Sequence, residues 1–347
     1  MTIPEAPSYV PRPVKIAGLG RYLPQRVVTN ASLEAQFDLP EGWIEDKTGV
    51  RERRRADVAG GETASFMGGE AAREAIADAG LAPGDLDLIV NASGTPEQAI
   101  PDGGPLVQRA LGLERSGIPS FTVHATCLSF LVAMDVVSAL IAAGSHRRVL
   151  IVSTEIGSMG VAGVDPKSES LWGDAAAAAV VTPTPAGEPA CLERFLLRTW
   201  SQGADLTSIR GGGTRLHPGR EGADPDELRF VMNGQGVLQL CLRRAGKFFD
   251  ALDPGIRSGR VGRPGESGVR LAVTHQPSKV GLEAMERFGV APEHTAVTLD
   301  RLGNCVAASL PCTLYEAVRS GRLGRGDRTL LFGTGAGLSM AGALLRF

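Results

Sequence analysis

Three side chains that lie far apart in the chain, Cys127, His275 and Asn304, form a set with a definite chemistry. Cys127 stands in Val123-His124-Ala125-Thr126-Cys127-Leu128-Ser129-Phe130, between a β-branched segment from Phe121 and an almost continuously apolar run from Leu128 to Ile141. That pattern puts the thiol where a buried strand turns into a buried helix. Unpaired N–H groups and the positive end of the helix favour thiolate over thiol there, which makes the sulfur nucleophilic. His275 ends the apolar strand Val269 to Thr274, and Gln276-Pro277 turns the chain so that the ring is aimed. Asn304 follows Gly303, ahead of a second apolar helix. A cysteine, a neutral histidine and an asparagine meeting in an apolar pocket suit acyl transfer. The thiolate attacks an acyl thioester, and the other two donate hydrogen bonds to the carbonyl oxygen of a second thioester. If that second substrate loses carbon dioxide, the same donors hold the enolate oxygen while its carbon attacks the acyl-cysteine. The first oxyanion needs two backbone amides: Cys127 supplies one, and the bare turn Gly333-Thr334-Gly335-Ala336-Gly337 supplies another, assigned to Gly335. Each residue also has a plainer reading, a buried cysteine acting as a small hydrophobe, a structural histidine and an asparagine in a turn.

An internal repeat can bring the three together. Arg109-Ala-Leu-Gly-Leu113, strand Ser120 to Ala125, Cys127 and the apolar helix to Gly144 are matched by a second series. That series is Arg287-Phe-Gly-Val290, strand Thr295 to Leu299, Asn304 and the apolar helix Ala307 to Val318, ending at Gly321. One step earlier, strand Leu86 to Asn91 corresponds to strand Val269 to Thr274. Cys127 therefore aligns with the Asn304 loop, and the Asn91 loop with His275. Two α/β halves are expected, residues 1–182 with the nucleophile and 183–347 with the histidine and asparagine. Each should hold a mainly parallel sheet with covering helices and carry its functional loops at the C-terminal strand edges. The glycine-rich, polar segment from about Asp205 to Phe230 is expected to run over one surface.

Composition narrows the function. The chain has 347 residues, 43% of them hydrophobic, enough for a sizeable core in two domains or one large α/β unit. A net charge of −2 gives no overall drive toward nucleic acid or a membrane surface. Five cysteines without a C-x-x-C pair suggest neither a zinc site nor a secreted disulfide framework. Met1 to Pro13 lacks the layout of a signal peptide and no apolar run is long enough for a membrane span. A reduced, cytoplasmic protein with no metal and no cofactor is expected. The glycines from Gly333 to Gly337 offer a partial dinucleotide fingerprint, but residues 338–347 are too few for the helix and second strand that it requires. The basic run Lys47-Thr-Gly-Val-Arg51-Glu-Arg-Arg-Arg55 reads either as a solvated surface or as an anchor for a phosphate or acidic partner.

Taken in order, the motifs extend over nearly the whole chain. They are Trp43-Ile44 with Thr48-Gly-Val-Arg51, Glu62-Thr-Ala-Ser-Phe-Met67-Gly68, Cys127 at its junction, Gly173-Asp174-Ala175-Ala176, Met232-Asn233-Gly234, His275-Gln276, Gly303-Asn304 with Ala307-Ala308-Ser309, and the closing Gly333-Thr-Gly-Ala-Gly to Phe347. This series resembles the β-ketoacyl-ACP synthase III family of the thiolase superfamily. The resemblance implies a thiolase-like fold of two duplicated α/β halves in five αβαβα layers, a Cys127-His275-Asn304 triad and a homodimer. It also implies acyl-CoA or acyl-carrier-protein thioesters as substrates, condensed with a malonyl-carrier thioester. Trp43, Lys47, Arg51, Ile100, Met232, Asn233, Gly234 and Lys279 become substrate-binding candidates, and Arg287 a further basic one. Several positions depart from the family pattern. Cys127-Leu128-Ser129-Phe130 replaces Cys-Ala-Gly-Phe, His275-Gln276-Pro277-Ser278 replaces His-Gln-Ala-Asn, and Ile100 replaces a common phenylalanine. No arginine lies between Glu155 and Asp165 to stack on an adenine. A primer other than acetyl-CoA, or delivery by a carrier protein, stays open. So do non-decarboxylative condensation, with Glu97 as base, and acyl transfer to an alcohol or amine.

Overall fold

Val149–Glu155 and Ala175–Pro183 carry apolar runs on both faces and are buried along almost their whole length, as strands covered on two sides must be. They lie at the centre of one of two five-stranded sheets in the computed structural model, which describes residues 9–161, 163, 165–263 and 268–347. The expectation for Met1 to Ser8 falls outside the described residues.

The first sheet contains β1 (Val14–Tyr22), β2 (Leu88–Asn91), β3 (Ser120–Thr122), β4 (Val149–Glu155) and β5 (Ala175–Pro183) in the order β1-β5-β4-β2-β3. The second contains β6 (Cys191–Thr199), β7 (Leu271–Thr274), β8 (Thr295–Ala296), β9 (Arg328–Gly335) and β10 (Ser339–Arg346) in the order β6-β10-β9-β7-β8. The orders are identical when read strand for strand, so the repeat seen in the sequence is a repeat of topology. The sheets are not mainly parallel, however. In each, two pairings are parallel (β2 with β3 and β4; β7 with β8 and β9) and two are antiparallel (β5 with β1 and β4; β10 with β6 and β9). For β9 and β10 the reason is the short connection of residues 336–338, which can close a hairpin but cannot cross over to a parallel neighbour.

Helix α1 (Ala64–Asp78) covers the outer face of the first sheet and α3 (Gly234–Leu252) that of the second. Between the sheets lie α2 (Ser129–Ala142) and α4 (Ser309–Arg319), each touching strands of both sheets. The result is the five-layered thiolase-like αβαβα arrangement. Its central core joins Leu131, Met134 and Val137 of α2 to Leu310 and Leu314 of α4, with Val90 and Ile151 from one sheet and Val273 and Leu331 from the other. Because α2 is apolar nearly all round, it can be enclosed in this way. Its N-terminus, like that of α4, therefore opens at the joint between the two halves.

Strand β1 admits α1 only through glycine. A Cβ on Gly20 would stand 2.1 Å from the Ala71 carbonyl oxygen, and one on Gly18 would stand 2.2 Å from that of Ala75. Gly20→Ala must push helix and sheet apart, and it is expected to lower stability by about 1–3 kcal/mol, measured as the shift in a thermal or urea unfolding midpoint.

Candidate active site

Cys127 begins where β3 has ended and the 3-10 turn Thr126–Leu128 leads into α2. Thr126 holds φ at 51°, and its counterpart Val306 holds φ at 45° at the start of the turn Val306–Ala308 that leads into α4. Two β-branched residues in the left-handed region mark a conformation imposed by the surrounding packing. The match between the halves extends further. The Ala125 N–H donates to Ser129 Oγ at 3.0 Å, and the Cys305 N–H to Ser309 Oγ at 2.9 Å. Ser129, one of the departures noted above, is thus a structural cap used in both halves. By this correspondence Ala307 is the counterpart of Cys127, and Asn304 stands in the same loop three residues earlier. The Ala92 N–H donates to Val152 O at 2.6 Å and the His275 N–H to Phe332 O at 2.8 Å, which makes Ala92 the counterpart of His275.

The two halves meet across β9. A Cβ on Gly333 would contact Leu128 at 2.9 Å and the His275 Cβ at 3.1 Å, so the nucleophile turn and His275 pack against each other there. A Cβ on Gly335 would contact Thr126 Oγ1 at 2.9 Å. Two backbone amides bear on the Cys127 sulfur, its own and that of Ala336. The second amide is therefore one residue beyond the expected Gly335, which is still paired with Ser339 in the strand ladder.

Asn304 is held on all sides. Its N–H donates to Leu171 O at 2.8 Å and its carbonyl accepts from Gly173 N at 3.2 Å. Its side-chain Oδ1 accepts from Val306 N at 2.9 Å, while Nδ2 donates to Pro277 O at 3.3 Å. The asparagine is thereby tied to the turn that carries His275. His275 is buried, and burial pushes its ring down to about 4 against a weak opposing contact with the Val306 backbone. The imidazole is therefore neutral at physiological pH and can donate from one ring nitrogen.

The expectation of a resting thiolate is not met. Burial, and secondarily the charge of Glu155, push the Cys127 thiol up to about 12, outweighing the amides of Cys127 and Ala336. Desolvation wins because the walls are apolar: Val50, Val161, Leu171, Trp172, Phe230, Leu299 and Val306 form one cluster against which Cys127 packs. Trp172 and Phe230 meet edge to face with centroids 4.6 Å apart. Sequence reading missed this aromatic pair, although Trp172 directly precedes the Gly173-Asp174 motif. It also missed Glu155, a lone charge ending a fully buried strand.

Several substrate-binding candidates lie on segments that border this cluster. Arg51 follows Val50, Met232 lies two residues after Phe230, and Lys279 precedes Leu282, which packs on the same cluster. The Lys279 side chain lies 3.0 Å from where a Cβ on Gly49 would be, which brings it beside the Trp43–Thr48 helix. Lys47 pairs with Asp46 at 2.8 Å and Arg51 with Asp300 at 2.5 Å, both on the exposed side. Trp43 is half-buried against Val28, Leu33 and Ile44. Asn233 caps α3, its Oδ1 accepting from Gly236 N at 2.9 Å, and Gly234 is the first residue of that helix. Ile100 is 87% exposed, away from the apolar wall. Glu97 accepts from Ser65 N at 2.6 Å at the start of α1, which occupies one oxygen of that carboxylate. Among the described residues, no group of three or more His, Cys, Asp or Glu side chains could hold a metal ion, and no helix is long and apolar enough to cross a membrane.

The chain is similar to known proteins along most of its length. Residues 121–197 match the family described as 3-oxoacyl-(acyl-carrier-protein) synthase III, and residues 265–347 match its C-terminal part. The β-ketoacyl-(acyl-carrier-protein) synthase III of Acidiphilium cryptum is 35% identical over 333 residues, 96% of this chain and 98% of that protein. The crystal structure of the 3-oxoacyl-(acyl-carrier-protein) synthase III of Aquifex aeolicus superposes with a TM-score of 0.82 at 30% identity, covering 96% of this chain and all of that one. A priming β-ketosynthase from a polyketide biosynthetic pathway superposes with a TM-score of 0.80 at 28% identity, covering 99% of this chain and 98% of that one.

Proposed function

The chain belongs to the 3-oxoacyl-(acyl-carrier-protein) synthase III family, and we propose that Cys127 takes an acyl group from a thioester and passes it to a decarboxylated malonyl thioester. The observation that carries this reading is the meeting of the amide-flanked thiol, a neutral buried histidine and a clamped asparagine at the joint of the two halves.

In the first step Cys127 Sγ attacks the primer carbonyl. The oxyanion rests on the N–H groups of Cys127 and Ala336, and the thiol proton leaves with the carrier thiol. In the second step the malonyl thioester oxygen accepts from a His275 ring N–H and from Asn304 Nδ2. Loss of carbon dioxide moves its bonding electrons into the enolate, whose carbon attacks the acyl-cysteine. The C–S bond breaks, a 3-oxoacyl thioester leaves, and the Cys127 thiolate takes a proton from solvent.

Acyl-CoA or an acyl carrier protein presents the primer, and a malonyl-carrier thioester extends it. Lys47, Arg51 and Lys279 border the entrance, where they can pair with the phosphate of a pantetheine arm or an acidic carrier surface. Trp43, Met232, Asn233 and Gly234 flank the arm. The reaction proceeds without a metal or cofactor: Cys127 carries the acyl group, His275, Asn304 and backbone amides hold the developing negative charge, and the carrier thiol and solvent exchange the protons. Two copies of the chain assemble in the cytoplasm, with the exposed Ile100 of each reaching the acyl pocket of the other. Within each copy we divide the halves at residues 182 and 183.

Carbon dioxide release tests the reaction type. With acyl primer and malonyl-carrier thioester, one equivalent of labelled carbon dioxide is expected for each 3-oxoacyl product. Condensation without that release would replace this reading with the non-decarboxylative one.

A further inference from the structure

Glu155 ends β4 with its side chain fully buried, and the condensation steps leave it without a task. Its carboxylate is surrounded by donors from both halves of the molecule. One oxygen accepts from Gly94 N. The other accepts from Thr95 N at 2.9 Å and from Thr95 Oγ1 at 2.6 Å, and the Ala307 amide at the start of the second-half turn adds a further donor. Among the described residues Glu155 forms no ion pair, and its partners are neutral N–H and O–H groups. A buried carboxyl without a basic partner carries a large desolvation penalty, which its hydrogen bonds must offset.

The position of this clasp is informative. A Cβ on Gly94 would contact Val306 at 3.0 Å, the Glu155 carboxylate at 3.2 Å and the Thr126 carbonyl at 3.3 Å. The Gly94–Thr95 loop therefore touches both strained turns, the one carrying Cys127 and the one following Asn304. Glu155 anchors that loop beside the turn that carries the nucleophile, and its negative charge bears on the Cys127 thiol. The other titratable group that its charge reaches is Cys305; Asp174 and Cys312 act on Cys305, and His275 responds to burial and to Val306.

We propose that Glu155 is a positioning residue for the nucleophile. It clasps the Gly94–Thr95 loop to the Ala307 turn and, once ionised, places a negative charge that opposes formation of the Cys127 thiolate. Burial lifts this carboxyl up to about 8 against the pull of its donors, so the charge appears just above neutrality. The proposal rests on Cys127 being the nucleophile of the reaction above, but its test needs no acyl thioester.

The test follows the rate of Cys127 alkylation by iodoacetamide against pH, read on the Cys127 peptide by mass spectrometry in the full-length protein. In the wild type the logarithm of the rate should rise less steeply once Glu155 ionises. Glu155→Gln should keep the full slope and react about threefold or more faster than wild type at about pH 9, the direction expected when a negative neighbour is removed from a thiol with apolar surroundings. Thr95→Val supplies a second measurement should the glutamine variant fail to fold. Loss of the hydroxyl donor disfavours the carboxylate, so the flattening should move to higher pH. Superimposable profiles for wild type and Glu155→Gln, or for wild type and Thr95→Val where only that variant folds, would overturn the proposal and leave Glu155 a purely structural clasp. Failure of the condensation reading would appear instead as the absence of an acyl adduct, independently of these profiles.

Discussion

Incubated with an acyl-CoA series, the wild-type protein is expected to gain the mass of one acyl group, and Cys127→Ala to gain none. Intact-protein mass spectrometry reads both results directly. Turnover should fall by about three orders of magnitude or more in the variant, since the covalent route is lost along with the nucleophile. Structural damage should be small: Cys127 is half-buried and the turn around it is held by Ser129, Ala125 and Thr126 rather than by the sulfur. An equal adduct on Cys127→Ala would assign acylation to another thiol and remove the proposed mechanism. Because the resting group is a thiol and not a thiolate, acylation should accelerate with pH across the neutral range. Burial and Glu155 raise the Cys127 pKa, so each step upward in pH enlarges the small reactive fraction.

His275→Ala should separate the two half-reactions. Acylation of Cys127 is expected to continue, because the amides of Cys127 and Ala336 do not depend on the imidazole. Decarboxylation should fall by about 10²–10³-fold, the effect of losing one donor to a developing oxyanion, or roughly 3–4 kcal/mol. Asn304→Ala should have a similar effect on decarboxylation, with an added loss of order because Oδ1 holds Val306 N and Nδ2 holds Pro277 O. Single-turnover release of labelled carbon dioxide from pre-acylated enzyme measures the step in isolation. In the wild type this rate should stay level on the histidine's account as pH falls from about 7 to about 5. Burial penalises the charged ring and holds its pKa at about 4, so the neutral donor persists throughout that window. A rate that falls with a midpoint near an ordinary histidine pKa would show that the ring is solvated during catalysis.

Much of this site was legible in the sequence because its parts sit at junctions between elements. Cys127 and Asn304 precede apolar helices, and His275 follows an apolar strand, so the hydrophobic pattern locates all three at element ends. The repeat then aligns those ends, and the structure confirms that they share one sheet topology. Strand direction was harder to read. A buried strand is apolar on both faces whether its neighbour runs parallel or antiparallel, so the antiparallel placement of β5 and β10 left no mark in the pattern. The second amide that bears on the Cys127 sulfur belongs to Ala336, one residue beyond the expected Gly335, for a related reason. In Gly335-Ala336 nothing in residue type tells which N–H still belongs to the ladder and which has turned toward the sulfur.

The sequence by itself determined which groups can do chemistry, the order of elements that carries them and the duplication that brings them to one edge. Those follow from residue type and periodicity, which are local properties of the chain. Only the tertiary structure decided the electrical state of the groups. Cys127 looked like a thiolate because its helix N-terminus is local, but its pKa is governed by Trp172, Phe230, Val306 and Glu155, which arrive from other elements. Likewise Glu155 and Ala307 become partners only when the two halves close, because desolvation and charge act through space between residues that the chain order keeps apart.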